Sequence, residues 1–159
     1  MDRRSFLRTA VAGSITAGFS GTAMAMEHFF PTRVDQTLFA GINRVTNPAA
    51  KTPLEMTHAP VIVAPASVKA GEPFTVMVSV GETLHPMGTT HWIEYIELNI
   101  GNEPAGVAQL QSNGFLKPQV VFTVALTRAA AMTGKVTLMA RERCNLHGLW
   151  EGSLDVLVT

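Results

Sequence analysis

The sequence predicts an all-β protein, a sandwich of about seven short strands. Three observations carry this expectation. Residues 74–80, 119–127 and 135–143 alternate in polarity or are rich in β-branched side chains, the signature of strands with one buried face. Turn chemistry punctuates the runs at short intervals, as at Gly71-Glu72, Gly101-Asn102-Glu103-Pro104 and Gly134. The chain has 159 residues, 47% of them hydrophobic and 15% charged, which suits one globular domain with its own core.

Taken in order, the first 25 residues stand apart. Arg3-Arg4-Ser5-Phe6-Leu7-Arg8 precedes a weakly apolar run rich in Ala and Gly, and Ala23-Met24-Ala25 is an A-x-A cleavage signal. This reads as a twin-arginine signal peptide cut after Ala25, and it assigns the mature protein to the periplasm. The run is too short and too Gly-rich for a spanning helix, so no stable membrane span is expected after cleavage. Removing the leader takes three of 12 basic and one of 12 acidic residues, leaving a net charge of −2. Nothing in that balance points to nucleic acid. Residues 26–57 read as an irregular arm with one short helix, broken by Asn47-Pro48 and Thr52-Pro53. His28, near the new N-terminus, reads as a surface residue.

From residue 58 to 159 the reading is β throughout. Strands are expected at 60–64, 74–80, 91–100, 106–111, 119–127, 135–143 and 152–158. In the third of these, strict alternation puts Trp92, Glu94 and Ile96 on one face and His91, Ile93, Tyr95 and Glu97 on the other. Residues 129–134 form a small-residue connection with helical-turn character. Glu94, Glu97, Arg141 and Arg143 read as ladder or surface charges, and Trp92, Tyr95 and Trp150 as core or site-wall aromatics.

The chemistry-bearing residues lie at strand edges and in loops. Cys144 is the only cysteine, so an internal disulfide is excluded; an inert thiol, a nucleophile and a metal ligand remain. His147 follows at a common chelate spacing in Cys144-Asn145-Leu146-His147-Gly148-Leu149-Trp150. His85 and His91 bracket the loop Pro86-Met87-Gly88-Thr89-Thr90, and His58 precedes Ala59-Pro60-Val61-Ile62. Four imidazoles and one thiolate are too many nitrogens and too few sulfurs for ordinary structural zinc, and calcium and magnesium prefer oxygen. Iron and copper remain.

These pieces, in this order and spacing, resemble the superoxide reductases of the neelaredoxin/desulfoferrodoxin family. The matching residues are His58-Ala59-Pro60-Val61-Ile62, His85-Pro86 with His91, the following Trp92-Ile93-Glu94-Tyr95-Ile96-Glu97-Leu98, and Cys144 to Trp150. They span residues 54–159. The resemblance implies an immunoglobulin-like sandwich. It also implies one mononuclear non-haem iron, with His58, His85, His91 and His147 as in-plane ligands and Cys144 as axial thiolate, the sixth position facing solvent. The implied reaction is one-electron reduction of superoxide to hydrogen peroxide at a ferrous centre, fed by an external electron donor. Homotetramers are common among the neelaredoxin-like relatives, so a homo-oligomer is expected. With one cysteine, no second, four-cysteine iron domain is expected.

The chain also departs from the family pattern. A Glu-Lys pair usually precedes the first ligand histidine; here Met56 and Thr57 stand there. Glu55, one position early, is the candidate to cap the sixth iron position, and Lys51 is the nearest cation in the segment. Two rivals are weighed. A cupredoxin-like electron carrier also has a C-terminal Cys-x-x-His, but it would need an axial Met where Glu151 and Gly152 stand. A non-catalytic metal-binding module on the same fold gains weight from the missing Glu-Lys pair.

Overall fold

The computed structural model describes residues 35–127, 129 and 133–159. The leader, its cleavage site, His28 and most of the connection around residue 130 lie outside the described residues.

Among the described residues nine strands form two sheets, and seven of them are at least four residues long. The larger sheet contains β1 (Ile42–Asn43), β3 (Ser67–Val68), β5 (Ile93–Ile100), β6 (Glu103–Gln109), β8 (Lys135–Cys144) and β9 (Gly148–Val158). Its order is β1-β9-β8-β5-β6, with β3 also on β9. The smaller sheet is β2 (Pro60–Val63), β4 (Pro73–Val80) and β7 (Gln119–Ala125), in the order β2-β4-β7. Inward side chains from both sheets meet in one core. Val76, Val78 and Val80 of β4 pack with Ile93, Ile96 and Leu98 of β5 and with Leu138, Ala140 and Val156. The expected all-β sandwich is therefore observed, and its core follows the period-two pattern of the strands.

Two local features depart from simple alternation. The pairing of β5 with β8 shifts register between Ile93 and Tyr95. This irregularity places Ile93 and Ile96 both in the core, fully buried, where strict alternation would have put them on opposite faces. The 101–104 turn is also tighter than expected: Ile100 pairs with Glu103, so only Gly101 and Asn102 turn the chain. Gly101 takes φ +59°, a conformation such a turn requires.

The arm contributes to the larger sheet. A 3₁₀ turn, Gln36–Phe39, is capped by the Asp35 carboxylate, which accepts from Thr37 N at 2.9 Å. It leads into β1, which pairs parallel with the start of β9. The short helix α1 (Pro53–His58) starts on a capping box, Thr52 and Glu55, with Pro53 in its first turn. Pro60 lies just beyond its end, so the helix delivers His58 from its last position.

Candidate metal centre

Three segments bring the donors together. His58 ends α1. His85 and His91 belong to the loop between β4 and β5. Cys144 is the last residue of β8 and pairs directly with Gly148, the first of β9. Asn145, Leu146 and His147 are thus the whole connection of a tight hairpin.

One atom from each of His58, His85, His91, Cys144 and His147 lies within 4.8 Å of every other. The four nitrogens form a ring. His58 Nε2 is 3.2 Å from His85 Nε2, which is 2.9 Å from His91 Nε2. His91 Nε2 is 3.1 Å from His147 Nδ1, which closes the ring at 2.9 Å from His58 Nε2. A square of roughly 3 Å sides places its corners about 2.1 Å from the centre, a metal–imidazole bond length. Neighbouring imidazoles stand at 73–79° to one another, while the opposed rings of His58 and His91 lie within 27° of parallel. Cys144 Sγ lies 3.2, 3.4 and 3.7 Å from the nitrogens of His91, His147 and His85. Those three distances fit only a sulfur standing over the square.

The ring tautomers follow from backbone partners. His58 Nδ1 donates to the Leu54 carbonyl at 2.9 Å, and His85 Nδ1 to the Pro86 carbonyl at 2.5 Å. Their Nε2 atoms therefore carry lone pairs into the cluster, as metal-bound histidines require. Burial is the main force holding these rings neutral, lowering His85 to about 3 and His58 to about 4. Burial likewise lowers His91 and His147. It pushes the Cys144 thiol up to about 12, opposed by hydrogen bonds from the backbone of Leu146 and His147. Convergent lone pairs around one point, with a sulfur above them, fit a single iron ion.

Surrounding groups hold the ligands in place. The Trp150 ring stacks 5.5 Å from His58, and its Nε1 donates to the His147 carbonyl at 2.9 Å. Asn145 grips the peptides on both sides of His91: its Nδ2 donates to Thr90 O and its Oδ1 accepts from Trp92 N, both at 2.9 Å. This residue lies between two ligands in Cys-Asn-Leu-His, yet its role is visible only in three dimensions. Replacing Asn145 with Ala is expected to weaken cobalt(II) or zinc(II) binding by about 10- to 100-fold in chelator competition.

Glu55 has a different place from the one considered in the sequence. Its Oε1 accepts from Thr46 N and Oγ1, each at 2.8 Å, and its Oε2 accepts from Thr52 N at 2.7 Å. Both oxygens are engaged in the capping box and in tying the arm to α1, so the structure gives no support to a cap over the metal. These hydrogen bonds, led by the one from Thr52, hold the carboxyl at about 2. The group is thus deprotonated in the folded state down to a pH well below its ordinary 4.5. Its contribution to stability is present above pH 4.5 and is lost as pH falls from there toward 2. Acid titration of unfolding should show Glu55→Gln losing that pH dependence. Lys51, the other residue considered near the site, forms an ion pair with Glu82. Thr57 turns its hydroxyl back to the Pro53 and Leu54 carbonyls, at 3.0 and 3.1 Å.

The outer face of β5 and β8 carries the expected charge ladder. Arg143 pairs with Glu94 at 3.0 Å, and Arg141 pairs with Glu97 at 3.8 Å and with Glu151 at 2.8 Å.

A four-histidine, one-cysteine donor set on a β-sandwich defines a mononuclear non-haem iron protein. The Desulfoferrodoxin family profile matches residues 50–153, and the chain belongs to that family. A Methanocaldococcus jannaschii protein that carries a superoxide reductase designation is 36% identical over 122 residues, covering 77% of this chain and 98% of that one. The solved superoxide reductase (neelaredoxin) of Ignicoccus hospitalis superposes with a TM-score of 0.63 at 32% identity, covering 80% of this chain and all of the other. A Syntrophotalea carbinolica desulfoferrodoxin is 40% identical over 75 residues, which is half of its length and 47% of this chain.

Proposed function

We propose that this protein is a superoxide reductase of the one-iron type. The observation that carries the reading is the nitrogen square with Cys144 Sγ standing over one face. His58, His85, His91, His147 and Cys144 would hold a ferrous ion, which would supply one electron to superoxide. Superoxide takes up that electron and two protons and leaves as hydrogen peroxide; no oxygen is formed. An external one-electron donor restores the reduced state. The chain's part is to present four neutral imidazoles, to stabilise the thiolate through the Leu146 and His147 amides, and to exclude other ligands by burial. Neither a copper carrier nor an inert binding module is favoured by this donor set and these relatives.

Product stoichiometry tests the reading. A reductase supplied with electrons yields one peroxide per superoxide, whereas a dismutase yields one per two and releases oxygen. A yield at the dismutase value would overturn it.

The site lacks a lysine at the position before His58. Superoxide capture therefore relies on the metal more than on steering. Thr57→Lys is expected to raise the second-order rate at low ionic strength, by about tenfold at the lower end of steering effects, with the gain fading as salt is added. An unchanged rate at low salt would count against this.

The same proposal places the mature protein in the periplasm, carried there folded by its twin-arginine leader with the metal already inserted. Assembly as a homo-oligomer rests on family resemblance and belongs to this proposal. Among the described residues no helix is long and apolar enough to cross a membrane.

A further inference from the structure

We infer that the arm segment 35–43 is a strap that positions His147, with Asn43 as its latch. Asn43 Nδ2 donates to Leu38 O at 2.8 Å and to Leu149 O at 2.9 Å, and it approaches His147 O at 3.5 Å. One side chain thus joins the 3₁₀ turn of the arm to the end of the ligand hairpin. The seat is cut to fit. Gly148 has φ +76°, and a Cβ there would collide with the Leu38 carbonyl. The strap is parallel-paired to the hairpin, Ile42 against Leu149 and Asn43 against Trp150. Trp150 in turn donates to the His147 carbonyl and stacks on His58. A further tie lies at the turn itself, where the Arg143 guanidinium sits 5.6 Å from the Phe39 ring centroid.

The hairpin between Cys144 and Gly148 has only three connecting residues, and two ligands lie on it. Its backbone carbonyls need partners to fix the direction of the His147 ring. Trp150 supplies one from within β9, and Asn43 supplies the clamp from the neighbouring edge strand β1. Segment 35–43 precedes the stretch matched by the family profile, which begins at residue 50. It therefore adds a positioning element to the metal site from ahead of the profile-matched stretch. The inference rests on the metal-binding part of the proposed function alone and is independent of superoxide turnover.

The test uses cobalt(II) bound to the mature chain, read by its visible absorption under chelator competition. Asn43→Ala is expected to raise the cobalt dissociation constant about 10- to 100-fold and to change the thiolate-to-cobalt absorption. Val136→Ala, at the far end of β8 from Cys144, serves as the control for simple loss of stability. It should lower the unfolding midpoint and leave cobalt affinity unchanged. A dissociation constant for Asn43→Ala within twofold of the parent, alongside a lowered midpoint, would reduce Asn43 to a structural residue and overturn the inference. A second measurement needs no variant. Binding energies are reciprocal, so metal binding should protect the Ile42 and Asn43 amides from hydrogen exchange. Equal exchange in the metal-free and cobalt-bound protein would also overturn it.

Discussion

Cys144→Ser is expected to remove the visible thiolate-to-iron(III) absorption and to weaken metal binding by more than the 10- to 100-fold cost of an outer-sphere change. The reason is a proton. Burial lowers His58 and His85 to about 4 and 3, so they are neutral at pH 7 and release nothing on binding. The Cys144 thiol, pushed up to about 12 by burial, is the group that must be deprotonated. Metal affinity of the parent should therefore rise with pH by about tenfold per unit between pH 7 and 9, with one proton released per ion. Serine has no comparable acidity, so the variant should show a flat dependence. Calorimetric titration with cobalt(II) in buffers of different ionisation enthalpy reads the proton count directly. A parent that releases no proton would contradict this account of the thiolate.

Glu142→Met is expected to stabilise the metal-free protein by about 1–3 kcal/mol, the cost of leaving a buried polar group unpaired. Glu142 lies on the core face of β8, two residues before Cys144, and is fully buried. Neither carboxylate oxygen has a hydrogen-bond partner among the described residues. Burial raises its acid well above the ordinary value, with the nearby Glu94 charge adding to the effect. The folded state therefore holds this proton to higher pH than the unfolded state does. Stability falls as pH rises above about 4.5 toward the folded-state value. The substitution should both raise the urea midpoint at pH 7 and flatten this slope. A midpoint lower than that of the parent would show that the carboxyl has a partner of real worth.

Much of this molecule is legible along the chain because the relevant signals are local. Alternation over residues 74–80, 119–127 and 135–143 fixes three strands and their inward faces. The same alternation, with Arg141 and Arg143 outward, already turns Glu142 inward. The five donors were legible through their spacing and through the family resemblance. The Glu55 capping box is also written locally, as Thr52-Pro53-Leu54-Glu55, and that pattern outweighs a role over the metal. Other features depend on pairing across the fold. The shift in β5 arises from its register against β8, so nothing in residues 93–95 themselves announces it. Asn43 finds its partners 5 and 106 residues away, which no window along the sequence can join. Asn145 likewise reaches the peptides around His91, 53 and 55 residues back.

The central claim is that this donor set reduces superoxide without the usual Glu-Lys pair before His58. Pulse radiolysis of the iron-loaded, pre-reduced mature protein tests it most directly, with Cys144→Ser in parallel. The account predicts rapid second-order consumption of superoxide, growth of the thiolate-to-iron(III) absorption, and one hydrogen peroxide per superoxide consumed. A verified ferrous site that leaves superoxide to decay at its spontaneous rate would contradict it and leave the protein a metal-binding module.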